Sequence, residues 1–300
     1  MAVAGNDVVS RGRSFARHAR WRLVGASGGF PMDRYPGPVT TAAPPAAPGA
    51  PVPCTPGPGL FISFEGGDGV GKTTQIRILA DLLAAADVDH ILTREPGGTE
   101  LGVEIRHLLL HGGHVAPRAE ALLYAADRAH HIATRVRPAL ERGAVVLADR
   151  YLDSSVAYQG AARSLGPQEV RDLSLWATEG LLPHLTILLD GDPALAEQRT
   201  TGRGAKDRLE QEGDAFRTSL RQQFLILAEA EPERFVVVDA DRPVEQVADD
   251  VIEAAVTAVR RHGLHLAHGG AHQGVLLGLE AFVEAAARRS AAEPVEEVRS

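Results

Sequence analysis

One short stretch between residues 60 and 86 constrains the fold of this chain most strongly. An apolar run that ends at Glu65 predicts a buried strand. It is followed by the glycine-rich sequence Gly66-x-x-x-x-Gly71-Lys72-Thr73, and then by apolar residues at helical spacing over 75–86. A strand, a glycine-rich loop and a helix in this order are typical of the phosphate-binding loop of a nucleoside triphosphate site.

The chemistry of such a loop follows from its backbone. Glycines let successive N–H groups curl around a phosphate, and the N-terminus of the following helix adds partial positive charge. We expect the Lys72 ammonium group to reach the outer phosphates and the Thr73 hydroxyl to ligate Mg²⁺. The predicted phosphate-binding residues are Gly66, Gly67, Asp68, Gly69, Val70, Gly71, Lys72, Thr73 and Thr74.

Lysine is scarce in this chain, and this narrows the class of nucleotide-binding protein. It occurs only at Lys72 and Lys206, whereas arginine is abundant. A lysine kept in the loop suits a site that needs a compact point charge. Common GTPases recognise guanine through Asn-Lys-x-Asp, and neither lysine lies in that setting, so a switch GTPase is disfavoured.

Strand and helix patterns alternate from Leu60 onward. This alternation predicts an α/β fold, a doubly wound sheet of five parallel strands with helices on both faces. The predicted strands are Leu60–Glu65, His90–Arg94, Val145–Asp149, Leu185–Asp190 and Phe235–Asp239. The predicted helices cover 72–86, 100–110, 118–142, 168–178, 193–201, 215–229 and 244–261. A polar, glycine-containing loop at about 200–213 predicts a short mobile lid.

The two ends of the chain differ from this P-loop domain, which we place at 59–260. Residues 1–58 lack periodicity and are rich in proline, which predicts a disordered N-terminal extension. The Arg-rich start also resembles an organelle transit peptide, and Met32 is an alternative translation start; we favour a disordered basic tail. Residues 261–300 form a His/Gly-rich segment followed by an amphipathic helix over 275–289.

Several histidines raise the question of a metal site. His262, His265, His268 and His272 cluster among glycines, where a transition-metal site and a solvated tail are both open, and we favour the tail. We interpret a second group as surface side chains, because no acidic partner is spaced among them. Its members are His107, His111 and His114.

Composition limits the partners and the compartment. A net charge of -8 argues against a nucleic-acid-binding surface. No apolar run is long enough to span a bilayer, so no membrane partner is predicted. The single cysteine, Cys54, cannot form an internal disulfide, which fits a reducing compartment, and we expect a cytoplasmic protein.

Polar residues after the second and third predicted strands indicate an acceptor site. Arg94 follows one strand and can clamp a substrate phosphate, although such an arginine is often only a surface charge. Asp149 and Arg150 end the next strand, where they can hold Mg²⁺ through water and a second phosphate oxygen, or form a structural ion pair. Tyr124 and Arg128 share one helix face, which suits stacking on a base and bonding to its edge.

The order of these motifs resembles that of thymidylate kinases of the bacterial type. The motifs are the phosphate loop, Thr-Arg-Glu-Pro-Gly-Gly-Thr (93–99), Tyr-Ala-Ala-Asp-Arg-Ala (124–129) and Asp-Arg-Tyr-Leu-Asp-Ser-Ser-Val-Ala-Tyr-Gln-Gly (149–160). The match continues through Asp-Arg-Leu-Glu (207–210) and Val-Val-Val-Asp-Ala (236–240). It covers about residues 60–258, and Arg-Glu-Pro-Gly-Gly-Thr is among its more specific parts.

The resemblance implies roles for the acceptor residues. Asp68 resembles the loop carboxylate near the deoxyribose 3′-hydroxyl and the metal, while Arg94 and Arg150 resemble the acceptor-phosphate clamps. Tyr124 stands where the family usually has a phenylalanine that stacks on thymine, and Arg128 resembles the arginine that bonds O4. Tyr158 resembles the residue that excludes ribonucleotides. The role of Glu65 stays open between support of the loop and substrate contact.

The resemblance also implies where the catalytic cations lie. The phosphate loop has Gly69-Val70 where some members have an arginine, so the lid is expected to supply them. Arg203 and Arg208 are preferred among Arg199, Arg203, Lys206 and Arg208. The expected catalytic residues are therefore Lys72, Asp68, Arg203, Arg208 and Arg150, with Mg²⁺ at Thr73 and Asp149.

The implied reaction is transfer of the γ-phosphoryl group of ATP to dTMP by a homodimer. Two alternatives remain. The chain can be a kinase of another nucleotide or deoxynucleoside, although a nucleoside kinase does not need two arginines for an acceptor phosphate. It can also be a nucleotide-binding regulatory protein without catalysis, for which the N- and C-terminal additions are the only support.

Overall fold

The computed structural model describes residues 58–162, 165–200, 213–269 and 273–292. In this part of the chain, five parallel strands form one sheet in the order β2-β3-β1-β4-β5. Their bounds confirm the predicted strands: β1 Leu60–Glu65, β2 His90–Arg94, β3 Val145–Asp149, β4 Leu185–Asp190 and β5 Phe235–Asp239. In the register, Asp149 of β3 lies beside both Phe64 of β1 and Arg94 of β2. The carboxyl ends of these three strands therefore meet at one edge.

Helices cover both faces of the sheet, as the alternation of patterns predicted. They are α1 Lys72–Ala85, α2 Glu100–His111, α3 Pro117–His131, α4 Arg137–Glu141, α5 Leu152–Ser155, α6 Pro167–Ala177, α7 Pro193–Thr200, α8 Asp214–Ala230, α9 Val244–Gly269 and α10 Gln273–Ala292. All six residues of β1 are buried. Its alternate residues Leu60, Ile62 and Phe64 pack in one core with α1 and α9, whereas Phe61 packs in a second core on the opposite face. Such a strand needs apolar side chains on both sides, because successive side chains point to opposite faces.

Two segments depart from the predicted helices. The helix predicted over 118–142 is divided by a π-helical turn, Ile132–Val136, between α3 and α4. Pro138 follows this turn. Because proline has no N–H group to donate to the carbonyl oxygen four residues earlier, the helix widens just before it. After β3, α5 and a second π-helical turn, Val156–Ala162, form a segment that the sequence did not predict. Its residues are buried on nearly every side, which removes the amphipathic period that marks a helix.

The described part of the C-terminal segment packs on the core, so His262 departs from the expectation of a solvated histidine tail. Helix α9 continues to Gly269 across the expected domain limit at residue 260. His262 is buried, and its Nε2 lies 2.9 Å from the carbonyl oxygen of Pro58. Helix α10 contributes Leu279, Phe282 and Ala286 to the core that contains α1 and α9. The side chains of His265, His268 and His272 lie outside the described residues.

Two further expectations also fall outside the described residues. These are the disordered extension over 1–57 and most of the lid, residues 201–212, with Arg203, Lys206 and Arg208. Within the part that the structure describes, no helix is long and apolar enough to cross a membrane.

Candidate active site

The phosphate-binding loop joins β1 to α1 in a conformation that depends on glycine. Gly66, Gly69 and Gly71 all have positive φ values, of 128°, 85° and 105°. At Gly66 a Cβ atom would lie 2.4 Å from the carbonyl oxygen of Leu189, at the end of β4. Only glycine fits such a close approach of two backbones. The loop is therefore held against the carboxyl edge of the sheet.

Lys72 lies at the start of α1, and its side chain bonds the backbone of the phosphate loop. Its Nζ donates to the carbonyl oxygens of Gly67, at 2.7 Å, and Gly66, at 3.1 Å. Burial, and then the nearby charge of Arg150, lower the pKa of Lys72. The ammonium group is thus enclosed by the loop whose phosphate ligand it is expected to contact.

Thr73 and Asp149 come together at the edge of the sheet. The Thr73 hydroxyl donates to Oδ2 of Asp149 at 3.1 Å. A hydroxyl and a carboxylate are hard oxygen ligands of the kind that Mg²⁺ prefers. These two residues, predicted separately from the loop and from β3, therefore fit a magnesium site.

Arg150 connects the phosphate loop to the segment that follows β3. Its Nη1 donates to the carbonyl oxygen of Gly66 at 3.1 Å and to the Ser154 hydroxyl at 2.9 Å. Its Nη2 donates to Oδ1 of Asp68 at 2.6 Å and to the Tyr158 hydroxyl at 3.2 Å. One guanidinium group thus contacts both the loop and the segment that contains the predicted sugar-sensing tyrosine.

Asp68 completes this arrangement from the loop side. Its Oδ2 accepts from the Tyr158 hydroxyl at 3.1 Å. Burial opposes ionisation, but Arg150 and then Lys72 hold the pKa of the Asp68 carboxyl well below its usual range. Asp68 is therefore a fixed negative charge between two cations.

Glu65, whose role the sequence left open, supports the backbone after β3. It is fully buried, and its carboxylate accepts from the Tyr151 amide at 2.8 Å and from the Ser154 hydroxyl at 2.5 Å. Burial, followed by the charge of Asp153, raises the pKa of Glu65 to about 8. These contacts assign Glu65 to support of the turn around Arg150.

A pocket opens beside Arg150, between the phosphate loop, α2, α3 and the segment after β3. Five of the residues that line it were predicted as site residues: Asp68, Tyr124, Arg128, Arg150 and Tyr158. The sequence did not predict the others as site residues. They are Glu95, Pro96, Arg106, Leu110, Tyr151, Ser154, Ser155 and Gln159.

Tyr124 and Arg128 lie on one face of α3, as their spacing predicted. Tyr124 is buried with Ile105, Leu109 and Leu110. The Arg128 guanidinium donates to four protein groups, namely Glu95 Oε2 at 2.7 Å, Ser174 Oγ and Ser155 Oγ at 3.0 Å, and the Tyr151 carbonyl oxygen at 3.3 Å. A guanidinium has five N–H donors. Arg128 is thus held firmly at the pocket wall.

Arg94, which was expected to clamp the acceptor phosphate, and Arg106, which was not, differ in their position relative to the pocket. Arg94 is exposed at the end of β2, near the turn at Gly97, and does not line the pocket. Arg106 of α2 does line it, and its Nη1 donates to the carbonyl oxygen of Pro96 at 3.0 Å. No motif in the sequence marked Arg106, which lies one helical turn before Leu110, another residue that lines the pocket.

Comparisons with known proteins agree on one family. The sequence model described as "Thymidylate kinase" matches residues 64–251. A thymidylate kinase of Clavibacter michiganensis subsp. michiganensis (strain NCPPB 382) is 64% identical over 192 residues, which cover 63% of this chain and 91% of the relative. A thymidylate kinase of Bifidobacterium longum subsp. infantis is 56% identical over 208 residues, covering 68% and 88%. One of Cutibacterium acnes is 47% identical over 205 residues, covering 68% and 99%.

Proposed function

The chain belongs to the thymidylate kinase family, and from this premise we propose that it transfers the γ-phosphoryl group of ATP to dTMP, forming dTDP and ADP. The observation that carries the proposal is the position of Arg150. Its guanidinium bonds Gly66 and Asp68 of the phosphate loop and Tyr158 of the adjoining pocket. A donor site and an acceptor site that share one cation are arranged for transfer of a phosphoryl group between them.

In this reaction an oxygen of the dTMP 5′-phosphate attacks the γ-phosphorus of ATP, and the bond from that phosphorus to the β,γ-bridging oxygen breaks. The electron pair of that bond leaves with ADP. Because the attacking phosphate is already anionic, no strong base is needed, and catalysis consists of alignment and charge neutralisation. Lys72 and Arg150 supply fixed positive charge, and we propose that Arg203 and Arg208 add theirs from the lid.

Mg²⁺ is the metal that the donor set fits. Thr73 and Asp149 would hold it, with the carboxylate acting directly or through water. The ion supplies charge neutralisation for the phosphates of ATP when it is bound. Asp68 lies close to Lys72 and Arg150 and orients the latter.

The acceptor nucleotide is proposed to bind with its base between Tyr124 and the wall formed by Arg128, Ser155 and Gln159. Tyr124 offers a ring for stacking, and the other three offer polar groups for the base edge. We propose that the ring of Tyr158, whose hydroxyl bonds Asp68 and Arg150, crowds a ribose 2′-hydroxyl.

The acceptor phosphate is proposed to lie between Arg106 and Arg150. Both line the pocket, and arginine pairs bind phosphate oxygens through several directed N–H donors. Arg94, which the resemblance suggested as one clamp, lies at the exposed end of β2, so we give its role to Arg106 in this proposal.

The proposal is tested by ATP-dependent turnover with purified protein, comparing dTMP with dUMP, UMP, dCMP, AMP and thymidine. We expect fast turnover of dTMP and poor use of UMP and thymidine. The Lys72→Ala variant sets the background, and its turnover should be abolished while its thermal unfolding stays close to that of the wild type. ATP binding without turnover of any monophosphate would favour a regulatory protein instead, and equal turnover by Lys72→Ala would refute the mechanism.

A homodimer in the cytoplasm is the assembly and location that we propose. Exposed apolar side chains on neighbouring elements support the dimer: Leu92 of β2, Leu101, Val103 and Leu108 of α2, and Leu122 of α3. Leu101 and Leu108 are seven residues apart and share one face of α2, and exposed apolar faces of this kind are typical of protein interfaces. Sedimentation equilibrium should give twice the chain mass, and a Leu108→Glu substitution should lower it.

A further inference from the structure

The side chain of His131 is not used by the mechanism above, yet it is fully buried at the end of α3. Both ring nitrogens have close polar neighbours. Nδ1 lies 2.8 Å from Oε1 of Glu95, and Nε2 lies 2.5 Å from the hydroxyl of Thr93 on β2. Buried polar groups are rarely left without partners, and this imidazole is satisfied on both sides.

Glu95 divides its carboxylate between two partners. While Oε1 lies against His131, Oε2 accepts from Nε of Arg128 at 2.7 Å. Burial works against ionisation of Glu95, but the charge of Arg128, followed by the hydrogen bond from His131, lowers its pKa overall. Glu95 is therefore an ionised, buried carboxylate whose position depends on both neighbours.

These contacts form a continuous chain from the sheet to the pocket. It runs from Thr93 through His131 and Glu95 to Arg128, and the last two residues line the pocket. The glycine at position 98 leaves room for this chain, because a Cβ there would lie 2.7 Å from His131 Nε2 and 2.7 Å from the Thr93 hydroxyl. Charge-assisted hydrogen bonds of this kind fix direction as well as distance.

We propose that His131 is a positioning residue for the acceptor nucleotide: it holds Glu95, which holds the Arg128 guanidinium toward the bound base. This inference rests on the proposed function, in which Arg128 contacts the base. Without the imidazole, Oε1 of Glu95 loses its partner inside the protein. The nearby carboxylate of Asp127, whose Oδ2 has no hydrogen-bond partner among the described residues, then repels Glu95 and offers it no replacement bond.

The test compares steady-state kinetics of the wild type with those of His131→Phe and His131→Gln. Phenylalanine keeps the ring but cannot bond Glu95, whereas glutamine keeps one donor. We expect the KM for dTMP to rise about tenfold in His131→Phe, as for the loss of one charge-assisted hydrogen bond. The KM for ATP should change less than about twofold, and His131→Gln should recover most of the loss. His130→Gln, at the neighbouring half-buried histidine, is the matched control and should behave as the wild type.

Further variants separate this role from a general loss of structure. Thr93→Val removes the hydroxyl beyond His131 at constant shape and should raise the KM for dTMP by a smaller factor, even if His131→Phe does not fold. In an Arg128→Lys background, His131→Phe should add little, because the bond through Nε is already absent.

Two results would refute the positioning role of His131 without refuting the proposed function, provided that the protein turns over dTMP. One is an unchanged KM for dTMP in both His131→Phe and Thr93→Val. The other is an equal rise in the KM for ATP, with no recovery in His131→Gln. Failure of the wild type to bind or turn over dTMP would instead overturn the proposed function.

Discussion

Arg150 has an unusual backbone conformation for its residue type. Its φ is 70°, in the left-handed region that costs a non-glycine residue on the order of 1 kcal/mol or more. The surrounding contacts hold it there. Its amide donates to the carbonyl oxygen of Phe64 at 3.0 Å, and its guanidinium bonds four further groups. The turn directs the side chain back toward the phosphate loop instead of along β3.

Single residues also show what could be foreseen at the site. Lys72, Thr73 and Asp149 follow from the order of motifs, because the carboxyl ends of neighbouring parallel strands share one edge. Arg106 and Gln159 could not be foreseen in this way. Arg106 lies on a helix whose pocket-facing side is set by packing against α3, and Gln159 lies in a buried segment without amphipathic period.

Asp127 gives a prediction at this scale. It is fully buried and accepts only from the Gly97 amide at 3.3 Å in the described structure. Burial, and then the charge of Glu95, raise its pKa from 3.8 to about 6. Because the folded state binds this proton more tightly than the unfolded state, stability falls as pH rises from about 4 to 6.

Asp127→Asn removes this titration, so the variant should gain stability over the wild type as pH rises from 4 to 7. At about 1.4 kcal/mol per pKa unit, the gain should reach at most about 3 kcal/mol. Urea unfolding at several pH values measures it, with Asp81→Asn, an exposed aspartate on α1, as the control. A difference that does not vary with pH would contradict the assignment.

At the scale of elements, the strands were predictable and the irregular turns were not. Each strand is a short, largely apolar run with clear ends, and all five sequence-based bounds agree with the structure. The π-helical turns Ile132–Val136 and Val156–Ala162 left no such signal. They depend on tertiary packing, on Pro138 in one case and on burial from several sides in the other, and neither produces a period in the sequence.

A prediction for this scale concerns Gly66, where the phosphate loop leaves β1 and passes close to β4. In Gly66→Ala, the new methyl group would meet the Leu189 carbonyl oxygen at 2.4 Å from a backbone with φ of 128°. We expect a loss of about 2–4 kcal/mol in stability, combining strain and a steric clash, together with weaker ATP binding. Gly113→Ala is the matched control, because no atom of the described residues lies within 4 Å of a Cβ there and its φ is not positive.

Urea unfolding and calorimetric ATP titration of both variants would measure these effects. If Gly66→Ala bound ATP and unfolded like Gly113→Ala, the loop would not depend on its close approach to β4.

At the scale of the whole molecule, the structure extends the fold beyond the part that resembles the family. The family match ends at residue 251, whereas α9 continues to Gly269 and α10 follows it. Gly143 and Gly278 show where α10 lies. A Cβ at Gly143, before β3, would meet Val275 at 2.4 Å, and one at Gly278 would contact Val88, before β2. Helix α10 thus covers the amino ends of the strands, whereas the candidate site lies at their carboxyl ends.

This placement predicts that α10 stabilises the domain without taking part in the reaction. Phe282 is 1% exposed and packs in the core shared by α1 and α9, so Phe282→Ala should cost about 3–5 kcal/mol in stability. Glu280→Ala, on the exposed side of the same helix, should cost less than about 0.5 kcal/mol. Well below the unfolding temperature, both variants should keep the wild-type KM for ATP and dTMP, because the strands that carry the site remain in register. Thermal unfolding and steady-state kinetics on the same samples separate the two effects. A Phe282→Ala protein with normal stability would mean that α10 does not pack on the core. Altered KM values in the folded variant would connect α10 to the site.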